Sequence, residues 1–279
     1  MAEATGTPQP VSTSTFRARN SPIFSKQRRE GPNAGPMFRG EYESMKLINK
    51  MIPDFTPIPI AWGKLNDSDG YFILFSFHNL RKDEPSDKIP DKPPIRPPIP
   101  LFTHAVAQLH TLSIDANPTG KFGFHMPTYN GTLEQDNTWT DTWEEFYARG
   151  MRHMLKLEEE ARGPSEELQQ LSGPFFDKVI PRLLRPLETD GRSIKPVLLH
   201  GDLWLGNVSN QTESGNPLMF DASAFWGHNE YELATLRLVG DDDDSVNRVI
   251  IHDSALYPEE PQFRETLIEE IKKLVEKFS

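Results

Sequence analysis

The sequence contains no cysteine. Disulfide staples, thiolate nucleophiles and cysteine-held zinc are therefore excluded, and a reducing compartment is compatible with the composition. Nor is there a run of about 18 apolar residues, the length a membrane-spanning helix requires. Positive charge is scarce: 30 Lys+Arg stand against 41 Asp+Glu, a formal net charge of -11. Nucleic-acid backbones and anionic lipid surfaces attract cationic proteins, so neither is expected as a partner. A nucleotide is a different matter, because a few local cations and Mg²⁺ suffice to hold its phosphates. The eight histidines never fall in an HxH or HxxxH pair, so the sequence offers no histidine-based metal motif. The opening MAEATGTPQPVSTSTF lacks the apolar stretch of a secretory signal. A cytoplasmic protein is the expectation.

What is present suffices for a packed core: 279 residues, 36% of them hydrophobic and 10% aromatic. The 25 prolines and 18 glycines imply generous loops. Residues 1–21 read as a flexible N-terminus. GEYESMKLINKMI, from Gly40, places Met45, Ile48 and Ile52 at three- and four-residue steps, which predicts a helix. PIPIAWGKL and YFILFSFHNL flank the turn NDSDG and predict a β-hairpin. Together these segments form a small, shortened N-terminal lobe over 22–80. The Pro-rich stretch 81–100 reads as an exposed linker, because its prolines block helix and central strand alike. The remainder, 101–279, reads as a mostly helical lobe. Its helix candidates are LFTHAVAQLHTL, TWEEFYARGMRHMLKLEEEA and PFFDKVIPRLLRPLETD. The tail PQFRETLIEEIKKLVEKFS carries Leu267, Ile271 and Leu274 on one face. The fold class is α+β.

The chemistry concentrates in HGDLWLGN, residues 200–207, followed by FDAS with Asp221. Phosphoryl transfer asks few groups of a protein: a carboxylate that orients the attacking hydroxyl and takes its proton, and oxygen ligands that hold Mg²⁺ against the phosphates. Asp202 suits the first role, and Asn207 and Asp221 suit the second. Asp202 and Asn207 stand in the H-x-D-x-x-x-x-N spacing of kinase catalytic loops. Asp221 comes at the end of the apolar PLMF.

LLHGDLWLGN, FDASAFWGHNEYEL, LHTLSIDANPTGKFGFH and DNTWTDTWEEFY resemble, in order, the signature segments of the fructosamine/ketosamine-3-kinase (protein-ribulosamine 3-kinase) family, in its fungal branch. The resemblance runs from about Phe38 to about Leu238. It implies a protein-kinase-like bilobal fold and ATP-dependent phosphorylation of the 3-hydroxyl of ketosamines on glycated proteins, which promotes deglycation. ATP and Mg²⁺ are the implied cofactors, and a ketosamine-modified protein or small ketosamine the implied partner. By the same resemblance Asp202 is the catalytic base, Asn207 and Asp221 are the metal ligands, and Glu41 is the helix glutamate that pairs with the ATP-binding lysine, here Lys26. The adenine hinge falls at Ser76, Phe77, His78 and Asn79. Trp204, His228 and Glu230 are candidates for the sugar-amine pocket. Trp139 and Trp143, four apart, read better as core residues on a helix.

Two departures stand out. Only 25 residues precede Lys26, with Gly6 their single glycine, so no Gly-rich phosphate loop is legible and the N-lobe looks truncated. After HNEYELATLRL the run DDDD suggests a solvated loop, and the terminal helices look abbreviated. The missing Gly-rich loop keeps one alternative in view, a catalytically impaired pseudokinase or binding protein of the same fold; a second is a related aminoglycoside- or choline-type kinase, against which the Trp204 of HGDLWLGN speaks.

Overall fold

The computed structural model describes residues 12–18, 21–28, 33–66, 68–80, 99–232 and 247–279. By internal contact the chain divides into two units, Met1–Ser113 with His200–Ala224, and Ile114–Leu199 with Phe225–Ser279. This division differs from a boundary near residue 100, because the segment from His200 groups with the first unit.

The first unit is built on a four-stranded antiparallel sheet of order β1-β2-β4-β3, with β1 Ser12–Ala18, β2 Ser21–Arg28, β3 Pro59–Lys64 and β4 Tyr71–Ser76. β3 and β4 are the expected hairpin. Within the segment 1–21 read as flexible, residues 12–18 form a strand: STSTF has the alternation and β-branched content for it, and β2 supplies its partner, pairing Thr13 with Lys26, while residues 1–11 lie outside the described residues. A strand therefore precedes the lysine strand.

Helix α1, Ala34–Met51, begins six residues before the expected Gly40. Pro36 is tolerated in the first turn, where the missing N–H has no intrahelical partner anyway. Met45, Ile48 and Ile52 are fully buried, as their spacing demands. Gly35 permits the approach of the sheet: a Cβ there would stand 2.7 Å from the Tyr71 ring. α2, Ile99–Ser113, starts inside the stretch read as linker, with Pro100 in its first turn; residues 81–98 lie outside the described residues. A short hairpin, β8 Val208–Asn210 with β9 Pro217–Met219, completes the unit.

The second unit holds two two-stranded ladders, β5 Tyr129–Asn130 with β6 Leu133–Glu134 and β7 Val197–Leu199 with β10 Phe225–Gly227. Around them are α3 Trp143–Arg162, α4 Glu166–Pro174, α5 Ile180–Leu184, α6 Asn247–Leu256 and α7 Pro261–Phe278. Thr142 caps α3 by accepting the Glu145 N–H, and the Glu188 carboxylate accepts that of Trp143. Pro174 lacks an N–H, and a π-helical turn at Phe175–Val179 takes up the irregularity before α5. Met151 and Met154, Phe175, Phe176, Val179 and Ile180, Ile251, and Leu267 with Ile271 form the core. The terminal helices α6 and α7 pack onto this core. Buried Glu158 ties them together, taking Arg264 Nε at 2.7 Å and Ser254 Oγ at 2.8 Å. The acidic run at 241–244 lies outside the described residues. Trp143 begins α3 and is buried, whereas Trp139 precedes the helix, so the two do not share a helical face.

Candidate functional site

β2 and α1 bring two charges together inside the first unit. Alternation along β2 buries Ile23 and Ser25 on one face and puts Lys26 on the other. From there Lys26 Nζ donates to Glu41 Oε1 at 2.9 Å and also to Asp221 Oδ1. Burial presses the Lys26 ammonium toward deprotonation, but Glu41 and Asp221 outweigh it and the net shift is upward. For Glu41 burial is the larger effect and pushes its carboxyl up, against the pull of Lys26 and with a further push from Asp221.

The second half of the site grows out of β7, whose three residues are buried and apolar. The strand ends at His200, and Gly201 then turns the chain at φ +82, where an L side chain is strained; a Cβ would also lie 2.2 Å from the Ser223 carbonyl oxygen. Asn207 Nδ2 donates to both the Asp202 carbonyl and Asp202 Oδ2, each at 2.9 Å. The loop from Asp202 to Asn207 therefore closes on itself. The hairpin β8–β9 returns the chain to Asp221, which adopts φ +61, a conformation unusual for a residue with a side chain. Backbone bonds hold it there. Phe220 N–H donates to Asn207 O at 3.1 Å, Ser223 N–H donates to His200 O at 2.9 Å, and buried His200 Nε2 lies 3.0 Å from Phe220 O.

Ser44 is not singled out by the sequence. It is fully buried on α1, and its Oγ accepts the Ala224 N–H at 3.0 Å. The one available signal is its place three residues after Glu41, on the same helical face. In sequence His200 and Gly201 are only parts of a motif, and the structure gives each a specific task.

The remaining candidates separate. Ser76 closes β4, with its N–H on Ile58 O at 2.9 Å and its Oγ 2.9 Å from His78 Nε2. Asn79 O accepts Thr212 N–H at 2.8 Å, and Asn79 Nδ2 donates to Glu213 Oε1 at 2.5 Å, which holds the Glu213 carboxyl below its usual range. Trp204 is 53% exposed, and its ring covers Gly206 so closely that a Cβ there would meet it at 2.2 Å. His228 and Glu230 belong to the second unit. The His228 ring lies 6.1 Å from that of Trp143, burial lowers its pKa against the opposing Glu230, and Glu230 is exposed.

Within one unit, then, a buried cation is shared by two carboxylates, and a third carboxylate is locked to a side-chain amide. Hard oxygen donors next to a fixed ammonium are the means of gripping a metal–polyphosphate.

The chain matches the family described as Fructosamine kinase over residues 5–250. It is 42% identical over 121 residues to the mouse (Mus musculus) "Ketosamine-3-kinase", covering 43% of this chain and 36% of that protein. It is 29% identical over 232 residues to the chloroplastic "Protein-ribulosamine 3-kinase" of Oryza sativa subsp. japonica, covering 80% and 58%. With its Arabidopsis thaliana namesake it shares 33% over 210 residues, covering 71% and 54%. The chain thus spans about half the length of the curated relatives it matches. A solved structure from Haemophilus somnus 129PT, provisionally assigned as a fructosamine-3-kinase, superposes with a TM-score of 0.66 at 17% identity, covering 98% of this chain and 90% of that one. That likeness establishes the shared α+β, kinase-like fold.

Proposed function

The chain belongs to the fructosamine kinase family, and on that premise we propose that it transfers the γ-phosphoryl group of ATP to the 3-hydroxyl of a ketosamine, a fructosamine or ribulosamine on a glycated protein or free in solution. The observation that carries the reading is the convergence of Lys26, Glu41 and Asp221 on one ion-paired cluster, beside a loop in which Asn207 is bonded to Asp202.

Lys26 is the cation for the α- and β-phosphates, and Glu41 fixes its position. Asp202 accepts a hydrogen bond from the sugar hydroxyl and takes its proton as the new O–P bond forms; the bond from the γ-phosphorus to the β–γ bridging oxygen breaks, and ADP leaves with that electron pair. Asn207 restrains the Asp202 carboxylate through the 2.9 Å bond from its Nδ2. That bond uses the nitrogen of the amide and leaves its oxygen to act as a ligand. With the Asp221 carboxylate this makes a pair of hard oxygen ligands, which fits Mg²⁺. When bound, the metal would neutralise charge on the phosphates. The bonds at Ser76 and Asn79 leave Phe77 and His78 as the hinge positions whose backbone would serve the adenine edge. Trp204 offers an exposed aromatic face to a sugar. No described helix is long and apolar enough to cross a membrane, and the net charge of -11 argues against nucleic-acid partners.

The test compares the protein with Asp202→Asn in an ADP-release assay with fructoselysine and ribuloselysine. The expected loss is about 10²–10⁴-fold in kcat, the usual worth of a general base, with ATP affinity retained. Equal rates would remove Asp202 from the mechanism. Mg·ATP binding without turnover of either ketosamine would favour the impaired-kinase alternative, and turnover of choline or kanamycin in their place the third.

A further inference from the structure

Resting on the phosphotransfer reading above, we infer that Ser44 is a positioning residue that anchors α1 to the metal-binding segment 221–224. A serine inside a helix ordinarily bonds back to its own helix or faces water. Ser44 does neither: it is fully buried, and its Oγ accepts the backbone N–H of Ala224 at 3.0 Å, 180 residues away in the chain.

The partner segment explains why this bond matters. Asp221 holds a positive φ of 61. On its N-terminal side Phe220 is fixed through its N–H to Asn207 O and through its carbonyl to His200 Nε2. On its C-terminal side Ser223 N–H is held by His200 O, and the next N–H is the one Ser44 takes. The left-handed region is uncommon for a residue with a side chain, and the bonds on both flanks hold the segment in it. Three of these ties come from the 200–207 loop, and Ser44 supplies the one from α1.

Glu41 lies one turn earlier on the same face and reaches Asp221 through Lys26. Helix α1 thus grips the segment twice, once through the Glu41–Lys26–Asp221 ion pairs and once through the bond from the Ala224 N–H to the Ser44 hydroxyl. The second grip does not depend on Lys26, and holds the segment that carries Asp221 when phosphates compete for the ammonium.

Three proteins test this: the wild type, Ser44→Ala and Ser44→Thr, which keeps the hydroxyl. Two quantities are read: amide hydrogen exchange at 220–225, and the Mg²⁺ concentration giving half-maximal ADP release. Ser44→Ala is expected to speed exchange at Ala224 at least tenfold with protection of α1 and β2 retained. It should also raise the half-maximal Mg²⁺ several-fold with acceptor KM unchanged, and Ser44→Thr should restore both. Unchanged exchange and unchanged Mg²⁺ dependence in an active Ser44→Ala protein would overturn the anchor and leave the kinase reading standing. A general fall in Tm with no specific change at 220–225 would likewise overturn it. If the wild type releases no ADP with any ketosamine, the kinase reading fails, and the exchange measurement alone decides whether Ser44 pins the segment.

Discussion

Lys26→Met deletes the ammonium at the centre of the site with little change in side-chain shape, and it leaves Glu41 without its cation. The Lys26 side chain is 12% exposed and that of Glu41 16%. Without the ammonium, Glu41 is a nearly buried carboxylate whose pKa burial already raises and whose remaining charged neighbour, Asp221, raises it further. Removing one partner of a buried pair costs about 3–5 kcal/mol. Glu41 has a less costly escape, which is to take up a proton. An ordinary glutamate titrates near 4.3, so holding it neutral at pH 7 costs about 1.36 × 2.7, roughly 3.7 kcal/mol, and at pH 5 only about 1 kcal/mol. Linkage gives the sign: the folded pKa lies above the unfolded one, so this stability is present below the unfolded value and is lost as pH rises through the folded value. Urea unfolding monitored by tryptophan emission should therefore show a Lys26→Met deficit, relative to wild type, that grows as pH rises from 5 to 7 by at most about 1.4 kcal/mol per pH unit, since burial already raises Glu41 in the wild type and takes part of the same slope. Lys26→Met with Glu41→Met, which removes both charges, should regain most of the stability and lose the pH dependence. A deficit independent of pH, or a double variant as unstable as the single one at pH 7, would refute the reasoning.

Two further substitutions test the backbone and the second unit. Gly201→Ala puts a Cβ 2.2 Å from the Ser223 carbonyl at φ +82, whereas Gly120→Ala at φ +69 meets nothing within 4 Å. The second should cost only the left-handed penalty, about 1–2 kcal/mol, and the first clearly more in chemical denaturation, with turnover falling at least tenfold. Glu158→Gln breaks a carboxylate that is 1% exposed and bonded by both Arg264 and Ser254; about 3–5 kcal/mol of stability should go, with limited proteolysis cutting first within 247–279.

The sequence is most informative where a short spacing determines a geometry. Asp202 and Asn207 are five residues apart and meet directly, and the periodicity of Met45, Ile48 and Ile52 puts all three in the core. Lys26 and Glu41 are harder to read, because the lysine has arginines at 28 and 29 beside it and only strand pairing shows which way it faces. β1 is not legible because a Ser/Thr-rich segment reads as a strand only when a partner strand exists to take its backbone bonds. α6 is not legible because Val249, Ile250 and Ile251 in succession favour a strand locally, and the contacts of α6 with α3 and α7 override that preference. Ser44 is hard to read for the same reason: its partner lies 180 residues on, and locally only its place three residues after Glu41 separates it from a solvent-facing serine.

Two charge clusters among the described residues, around Glu158 and around Lys26, differ in a way that separates support from function. Around Glu158 each carboxylate oxygen is met by Arg264, Ser254 adds a third bond and Arg162 Nε stands 3.8 Å away, so the carboxylate is compensated and hydrogen-bonded within the protein. Around Lys26 one ammonium serves two carboxylates, and the formal sum is -1 before Asp202 in the neighbouring loop is counted. A site meant to hold polyphosphate by protein cations alone would carry the opposite sign, since like charges repel the ligand. On the phosphotransfer reading, a divalent ion, which a site of this sign attracts, offsets the repulsion that the phosphates of the nucleotide would meet there alone.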